Sequence, residues 1–282
     1  MTELNYKVVI ASSENMKEVE SESVQLIVTS PPYWFLVHFS EEGDPESKDD
    51  LSRTNREEFN KRMGEVWKEC YRVLKPGGFC VVNWEDIPTG SWLYGYPREI
   101  SIVKDMVDPI EDSGLYLLSR WYWKKFEAGA ATSKFQYLLY GNLMKNDPRA
   151  CSNVAYVWAF KKRGKWRPKK LDFSKEDWIK WCDGHWRFDN PANSAKDLPG
   201  GAVFPAELPS RCIKIYSEPG DTVLDPFLGT GTTMAEAFRL GRSCIGYEIL
   251  NKRIPTIKAK TGFGSTNLFD QTKWELITRG ID

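Results

Sequence analysis

With 282 residues the chain has room for one large α/β domain and a smaller inserted or appended part. It is 41% hydrophobic and 28% charged, with 39 basic against 39 acidic side chains, so the composition is ordinary for a globular protein and the net charge says nothing about partners. No apolar run approaches the ~18 residues of a membrane span. The amino terminus lacks a basic flank before an apolar core, and six scattered cysteines form no Cys-x-x-Cys pair, which argues against a secretory signal, a disulfide framework and a metal site, and fits a reducing cytoplasm.

Short β-branched runs at 7–10 and 24–28 are predicted as buried strands of a parallel sheet, with a helical stretch at 14–19 between them. Phe59, Met63, Val66, Trp67, Cys70, Val73 and Leu74 recur on one face of an amphipathic helix. Lys75-Pro76-Gly77-Gly78 ends it, since proline cannot continue a helix and glycine suits its carboxyl-terminal turn. Strands are expected at 79–83 and 115–123.

From about residue 127 the α/β rhythm breaks. An aromatic-rich strand at 153–160 leads into the basic run Lys161 to Lys170, and Ser174 is placed to cap a short helix. Between Arg120 and Lys170 stand 13 Lys and Arg against two acids, Glu127 and Asp147, whereas 41–58 holds eight acids and three bases. An excess of one sign on one segment suits a polyanion. His185 reads equally as a DNA contact or as a packed turn residue. After residue 200 the alternation returns: helix 208–216, strand 222–224, a glycine-rich loop, helix 232–240 closed by Gly241, and strand 244–247. These steps predict a Rossmann-like, doubly wound, mostly parallel sheet assembled from both ends of the chain, in three parts: 1–126, 127–199 and 200–282.

Two motifs carry chemistry. In Asp225-Pro226-Phe227-Leu228-Gly229-Thr230-Gly231-Thr232-Thr233 the glycines let the backbone turn tightly and approach a ligand. Asp225 can accept from a cationic amine, and Glu248, at the end of the next strand, can grip ribose hydroxyls. No Gly-Lys-Ser/Thr follows, so a nucleoside with a charged amino-acid tail fits better than a polyphosphate. Thr29-Ser30-Pro31-Pro32-Tyr33-Trp34 follows a strand directly. Its prolines remove two N–H donors, leaving the Ser30 hydroxyl and the Pro31 carbonyl to accept hydrogen bonds from an aromatic amine and free its lone pair. Tyr33 offers a stacking face for an extruded base, with Trp34 assisting.

Together TSPPYW (29–34), WKECYRVLKPGG (67–78), FPAELPSRCIKIYSEPGDTVLDPFLGTGTT (204–233) and GYE (246–248) resemble the amino-DNA methyltransferases in the permuted order called the β class. The resemblance implies the class I methyltransferase fold and S-adenosyl-L-methionine held by Asp225, Phe227, Gly229, Gly231, Thr232, Thr233 and Glu248, with Phe204 and Pro205 near its methionine end. Ser30, Pro31, Pro32 and Tyr33 would hold the target base, in double-stranded DNA. The middle region would read that DNA, with Lys161, Lys162, Arg163, Lys165 and Arg167 on phosphates and Trp34 at the base. The chain departs from relatives at Ser13, which stands where many carry an Asp near the adenine, and at Gly200, where a His is common. Ser-Pro-Pro-Tyr accompanies cytosine N4 in this family and Asp-Pro-Pro-Tyr adenine N6, which favours cytosine and keeps adenine as the alternative. A DNA-binding module with a silent cofactor fold, and an RNA or protein methyltransferase, are the readings from other classes. Whether a cognate restriction endonuclease is a partner stays open, as does the choice between monomer and homodimer.

Overall fold

Alternating buried segments build a single large sheet. The computed structural model describes residues 3–32, 34, 48–89, 91–125, 144, 153–166, 168, 170–188, 204–263 and 272–279. Strands β1 (Asn5–Ile10) and β2 (Val24–Thr29) precede helix α1 (Arg56–Val73), strand β3 (Leu74–Trp84), a hairpin of β4 (Ile87–Thr89) and β5 (Arg98–Ile100) around the short α2 (Ser91–Tyr94), and helix α3 (Val103–Asp112). Then come β6 (Tyr116–Lys124), β7 (Val154–Lys161), α4 (Lys175–Trp181) and β8 (His185–Arg187). The last part holds α5 (Glu207–Tyr216), β9 (Thr222–Asp225), α6 (Thr232–Arg239), β10 (Ser243–Glu248), α7 (Ile254–Thr261) and β11 (Lys273–Thr278).

Nine strands run in the order β11-β1-β10-β9-β2-β3-β7-β6-β8. From β11 to β3 every pairing is parallel; β7 lies antiparallel to β3 and β6, and β8 is parallel to β6. The mostly parallel α/β fold expected from the alternation is present. Strand β7, from the expected middle part, is an integral member of this sheet.

Both faces of the sheet are covered. On one, Met63, Val66, Trp67 and Cys70 of α1 and Met106 and Ile110 of α3 pack on Val82, Trp84 and Phe160. On the other, Leu208, Cys212 and Ile213 of α5 and Met234 of α6 pack on Val28, Val81 and Val223. Helix α1 buries the predicted stripe, and Asn55 caps it by accepting from Glu58 N.

The helix expected at 14–19 is absent: the segment is a chain of turns. So short a segment gains little from helix propagation, and α1 satisfies its backbone instead. The Arg72 guanidinium donates to the carbonyls of Met16 and Val19, and Glu69 accepts from Met16 N. Elements outside the sequence reading, among them α3, α7 and β11, complete the fold.

Candidate active site

Parallel neighbours end at the same sheet edge, so the strand order decides which loops meet. Strand β2 lies directly against β9, with Leu26 opposite Val223 and Ile27 opposite Leu224. The Ser-Pro-Pro loop and the glycine loop therefore emerge side by side. A buried hydrogen bond joins them: Thr29 Oγ1 donates to Asp225 Oδ1 at 2.7 Å, across 196 residues of sequence.

Asp225 organises the glycine loop beneath it. Its Oδ1 also accepts from Phe227 N at 3.0 Å, and its Oδ2 from Thr233 Oγ1 at 2.7 Å. Burial pushes this carboxyl up to about 6, and the bonds from Thr233, Thr29 and Phe227 N offset part of that shift. Three of roughly four lone-pair sites are used, leaving acceptor capacity and the charge itself for a ligand. Gly231 caps α6 with φ 87°, a conformation costly for other L-residues. The loop rests on Gly246 of β10, where a Cβ would meet Leu228 Cδ2 at 2.5 Å. Leu228 N donates to the Tyr247 carbonyl at 2.7 Å, fixing that contact.

Glu248 ends β10 and is buried. Its Oε1 accepts from Leu250 N at 2.9 Å and its Oε2 from Arg253 Nη1 at 3.1 Å. Burial raises its carboxyl above the ordinary range and Arg253 opposes the rise. Next along the edge, β1 sets Ile10 opposite Glu248, and Ser13 is buried in the loop that follows. The edge thus presents Ser13, Glu248, Asp225 and Ser30 from four adjacent strands. At ~4.8 Å per strand they span about 14 Å, enough for a nucleoside and an amino-acid tail. Phe204 packs on the second core cluster, and Pro205, whose carbonyl accepts from Leu208 N, leads into α5. Thr232 Oγ1 accepts from Lys260 Nζ at 2.6 Å, tying the loop to α7.

On the other side, Ser30 and Pro32 are half-buried and Pro31 is buried. Pro31, Pro32, Phe59, Asn60, Trp84 and Met106 line a narrow pocket with room for about one or two waters. Trp34 also lines it, but serves as an anchor rather than an exposed contact: its Nε1 donates to the Thr54 carbonyl at 2.9 Å and its ring packs on the core. Tyr33, Arg167 and Gly200 lie outside the described residues.

The basic run does not join this edge. Strand β7 runs antiparallel to β3, placing Tyr156 opposite Trp84 at the carboxyl end and Lys161 opposite Phe79 toward the amino end. The run then continues past Gly77, whose N–H donates to the Lys162 carbonyl. At ~3.3 Å per residue it starts roughly 10 Å behind Thr29 and recedes from there. Lys162 is buried, and its three N–H donors go to the carbonyls of Tyr71 and Leu74 and to Glu22. Its ammonium is committed to the fold by these three partners. Lys161 lies over the Phe79 ring; Arg163 and Lys165 are exposed at the same far edge.

Two polar groups at the site carry no motif. Arg253 holds Glu248. Asn83 follows Val82, the partner of Thr29, so it is level with Ser30. It is buried, and its side-chain oxygen has no hydrogen-bond partner among the described residues. A buried polar residue at a strand's carboxyl end was the available signal for it.

Known proteins resemble this chain in sequence and fold. The chain is 30% identical to the type II methyltransferase M.MjaI of Methanocaldococcus jannaschii, over 98% of this chain and 97% of that one. It is 29% identical to the type II methyltransferase M.MthZI of Methanothermobacter thermautotrophicus, over 86% and 73%. A Thermus thermophilus protein, assigned as a DNA modification methylase and crystallised with S-adenosyl-L-methionine, superposes with a TM-score of 0.70 at 25% identity, covering 98% of this chain and 99% of that one. The cytosine-N4-specific PvuII DNA methyltransferase shares the fold at a TM-score of 0.68 and 20% identity, over 98% and 96%. The N6/N4-type DNA methylase family model matches residues 24–259, the span that holds both loops and the hydrogen bond between them, and the chain belongs to that DNA methylase family.

Proposed function

We propose that this chain methylates the exocyclic N4 of cytosine in duplex DNA, with S-adenosyl-L-methionine as donor. The observation that carries the reading is the Thr29–Asp225 hydrogen bond, which sets a cofactor-type loop beside an amine-accepting loop. The donor set fits such a cofactor. Asp225 keeps acceptor capacity and negative charge for a cationic amine, Glu248 is a buried carboxylate one strand away for ribose hydroxyls, and a Cβ at Gly229 would meet nothing nearer than 3.5 Å. Phe227, Gly231, Thr232, Thr233 and Ser13 lie toward the same edge, with Phe204 and Pro205 in the segment that leads into α5.

Bound there, S-adenosyl-L-methionine supplies an electrophilic sulfonium methyl. The chain's own contribution is positioning and electrostatics. Ser30 Oγ and the Pro31 carbonyl accept from the two N–H groups of the base amine, which keeps its lone pair out of the ring and aims it. The prolines withhold N–H donors that would compete for that lone pair. Tyr33 stacks on the extruded base. The proline-flanked Ser30, in place of an Asp, favours cytosine over adenine. The middle region, about 127–199, contributes to DNA reading.

Incubation with methyl-labelled cofactor and mixed-sequence DNA, followed by digestion to nucleosides and mass identification, tests this directly. N4-methylcytosine is expected. N6-methyladenine alone would overturn the base assignment, and no label in DNA would overturn the activity. Ser30→Ala should lower the transfer rate by about 100-fold with cofactor affinity unchanged, the scale of losing one preorganised hydrogen bond at a reacting centre.

A further inference from the structure

The basic run at the amino edge leaves the DNA-facing surface unassigned, and the far strands of the sheet supply one. Strands β6, β7 and β8 hold Arg120, Lys124, Lys161 and Arg187 and no Asp or Glu. Side chains alternate along each strand. One face carries Trp121 and Trp123 of β6, Val157 of β7 and Trp186 of β8, all buried in the second core cluster. The opposite face carries Arg120, Tyr122 and Lys124 of β6, Tyr156 and Trp158 of β7, and His185 and Arg187 of β8.

That second face is fixed from behind. Trp121 Nε1 and Trp186 Nε1 both donate to the Trp181 carbonyl, at 2.7 and 2.9 Å, and Trp123 Nε1 donates to the Phe188 carbonyl at 2.9 Å. It is also ordered laterally: the His185 ring stacks on Tyr122 at 5.8 Å, and Arg120 lies over Trp158 at 5.5 Å. Arg120 and Arg187 are exposed and have no acidic partner among the described residues. Of the acids near its rim, Glu85 is held by Lys125 and Asp86 by the Tyr156 hydroxyl and Ile102 N, while exposed Glu99 also faces Tyr156.

Because β6 and β8 run parallel to β3, their carboxyl ends, with Lys124 and Arg187, lie at the same edge as Ser30. Strand β6 is three strands from β2 and β8 four, which at ~4.8 Å each is about 14 and 19 Å. Those separations are on the scale of a duplex groove, ~12 Å across for the major one.

We propose that this face, centred on Arg120, the Tyr122–His185 stack and Arg187, is the surface on which duplex DNA docks, its cations taking backbone phosphates while the target base reaches the Ser30 loop. This rests on the reading above that the substrate is duplex DNA. Neutralised phosphates release counterions, so binding should weaken with salt in proportion to the contacts made.

The test is fluorescence anisotropy of a labelled mixed-sequence DNA duplex across a salt series, with the full chain. Arg120→Ala/Arg187→Ala should lower the slope of log affinity against log salt by about 2 and weaken binding about 10-fold or more at moderate salt. Arg120→Lys/Arg187→Lys should restore most of both. Arg163→Ala/Lys165→Ala, at the opposite edge, should match wild type. Unchanged calorimetric binding of S-adenosyl-L-methionine establishes that the variants are folded. A double-alanine slope equal to wild type, in a chain that methylates DNA, overturns the surface and leaves the activity standing. Wild type that binds duplex RNA through these arginines and not DNA overturns the surface together with the reading beneath it.

Discussion

Thr29→Val removes one hydroxyl at the point where the two loops meet and keeps the side chain's shape. Thr29 is fully buried, so no water replaces the lost donor. A hydrogen bond to an ionised group contributes about 1.5–3 kcal/mol. Its loss falls mainly on the charged form of Asp225, and at 1.36 kcal/mol per pKa unit it would carry that carboxyl from about 6 to roughly 7 or 8. The ionised form is the one that attracts a cationic amine. Above about pH 9 both proteins are ionised at Asp225 and should bind S-adenosyl-L-methionine alike. Near pH 7 wild type stays mostly ionised and the variant mostly does not, so the variant should bind up to about 10-fold more weakly. Well below pH 6 both are protonated and the curves should converge.

Calorimetric affinities across that range give the assay, and urea denaturation without cofactor gives a second readout. The folded-state pKa of Asp225 lies above its ordinary 3.8, so between the two values the native state holds a proton that the unfolded chain has released. Stability therefore falls as pH rises from about 4 to about 6, and the variant should extend that fall to roughly pH 8. Its deficit against wild type should be larger at pH 8 than at pH 5. Superimposable affinity profiles, or a deficit independent of pH, would refute the link between Thr29 and the charge on Asp225.

Arg253→Met takes the counter-charge from Glu248, so that carboxyl should rise further. Cofactor affinity should fall, with a loss that shrinks as pH rises, as calorimetry would show. Gly246→Ala forces a methyl against Leu228 and should cost about 1–3 kcal/mol in urea denaturation, with partial recovery in Gly246→Ala/Leu228→Ala. Asn83→Leu replaces a buried amide whose oxygen lacks a partner among the described residues; stability should stay within about 1 kcal/mol or rise, while methyl transfer falls. A large stability loss there would show that the carboxamide already serves the fold.

The parts legible in sequence are those where local chemistry and tertiary need coincide. The stripe from Phe59 to Val73 reads as a helix because its burial is set by period alone. Asp225, Gly231 and Glu248 read as a ligand edge because strand ends, turns and acids fall in the required order. Where a neighbour decides, the reading fails. Residues 14–19 have helical spacing, yet Arg72 and Glu69 of α1 capture their backbone. The run from Lys161 has the charge for DNA, yet the antiparallel turn of β7 carries it to the end of the sheet opposite Ser30 and buries Lys162. Strand β11 has half-buried Trp274 and Ile277 and an exposed Leu276, and α7 buries just Ile257 and Thr261, so neither declares itself by pattern.

The separation of the two motifs in the chain is compatible with one site because the chemistry depends on strand order along the edge, not on chain order. Any connectivity that leaves β1, β10, β9, β2 and β3 adjacent and parallel delivers Ser13, Glu248, Asp225, Ser30 and Asn83 in the same sequence along that edge. What the connectivity must then supply is a lock between its two ends. Edge contacts at β10 and β1 hold the cofactor half together, and α1 and α3 hold the catalytic half. Pairing of β2 with β9 covers only two register positions, Leu26 with Val223 and Ile27 with Leu224. The Thr29 hydroxyl on Asp225 lies beyond the last of them, where the ladder has ended and the loops diverge. It therefore fixes the distance between the bound methyl donor and the base amine more directly than the ladder does, and a change of one hydroxyl there should disturb transfer more than any nearby change of equal volume.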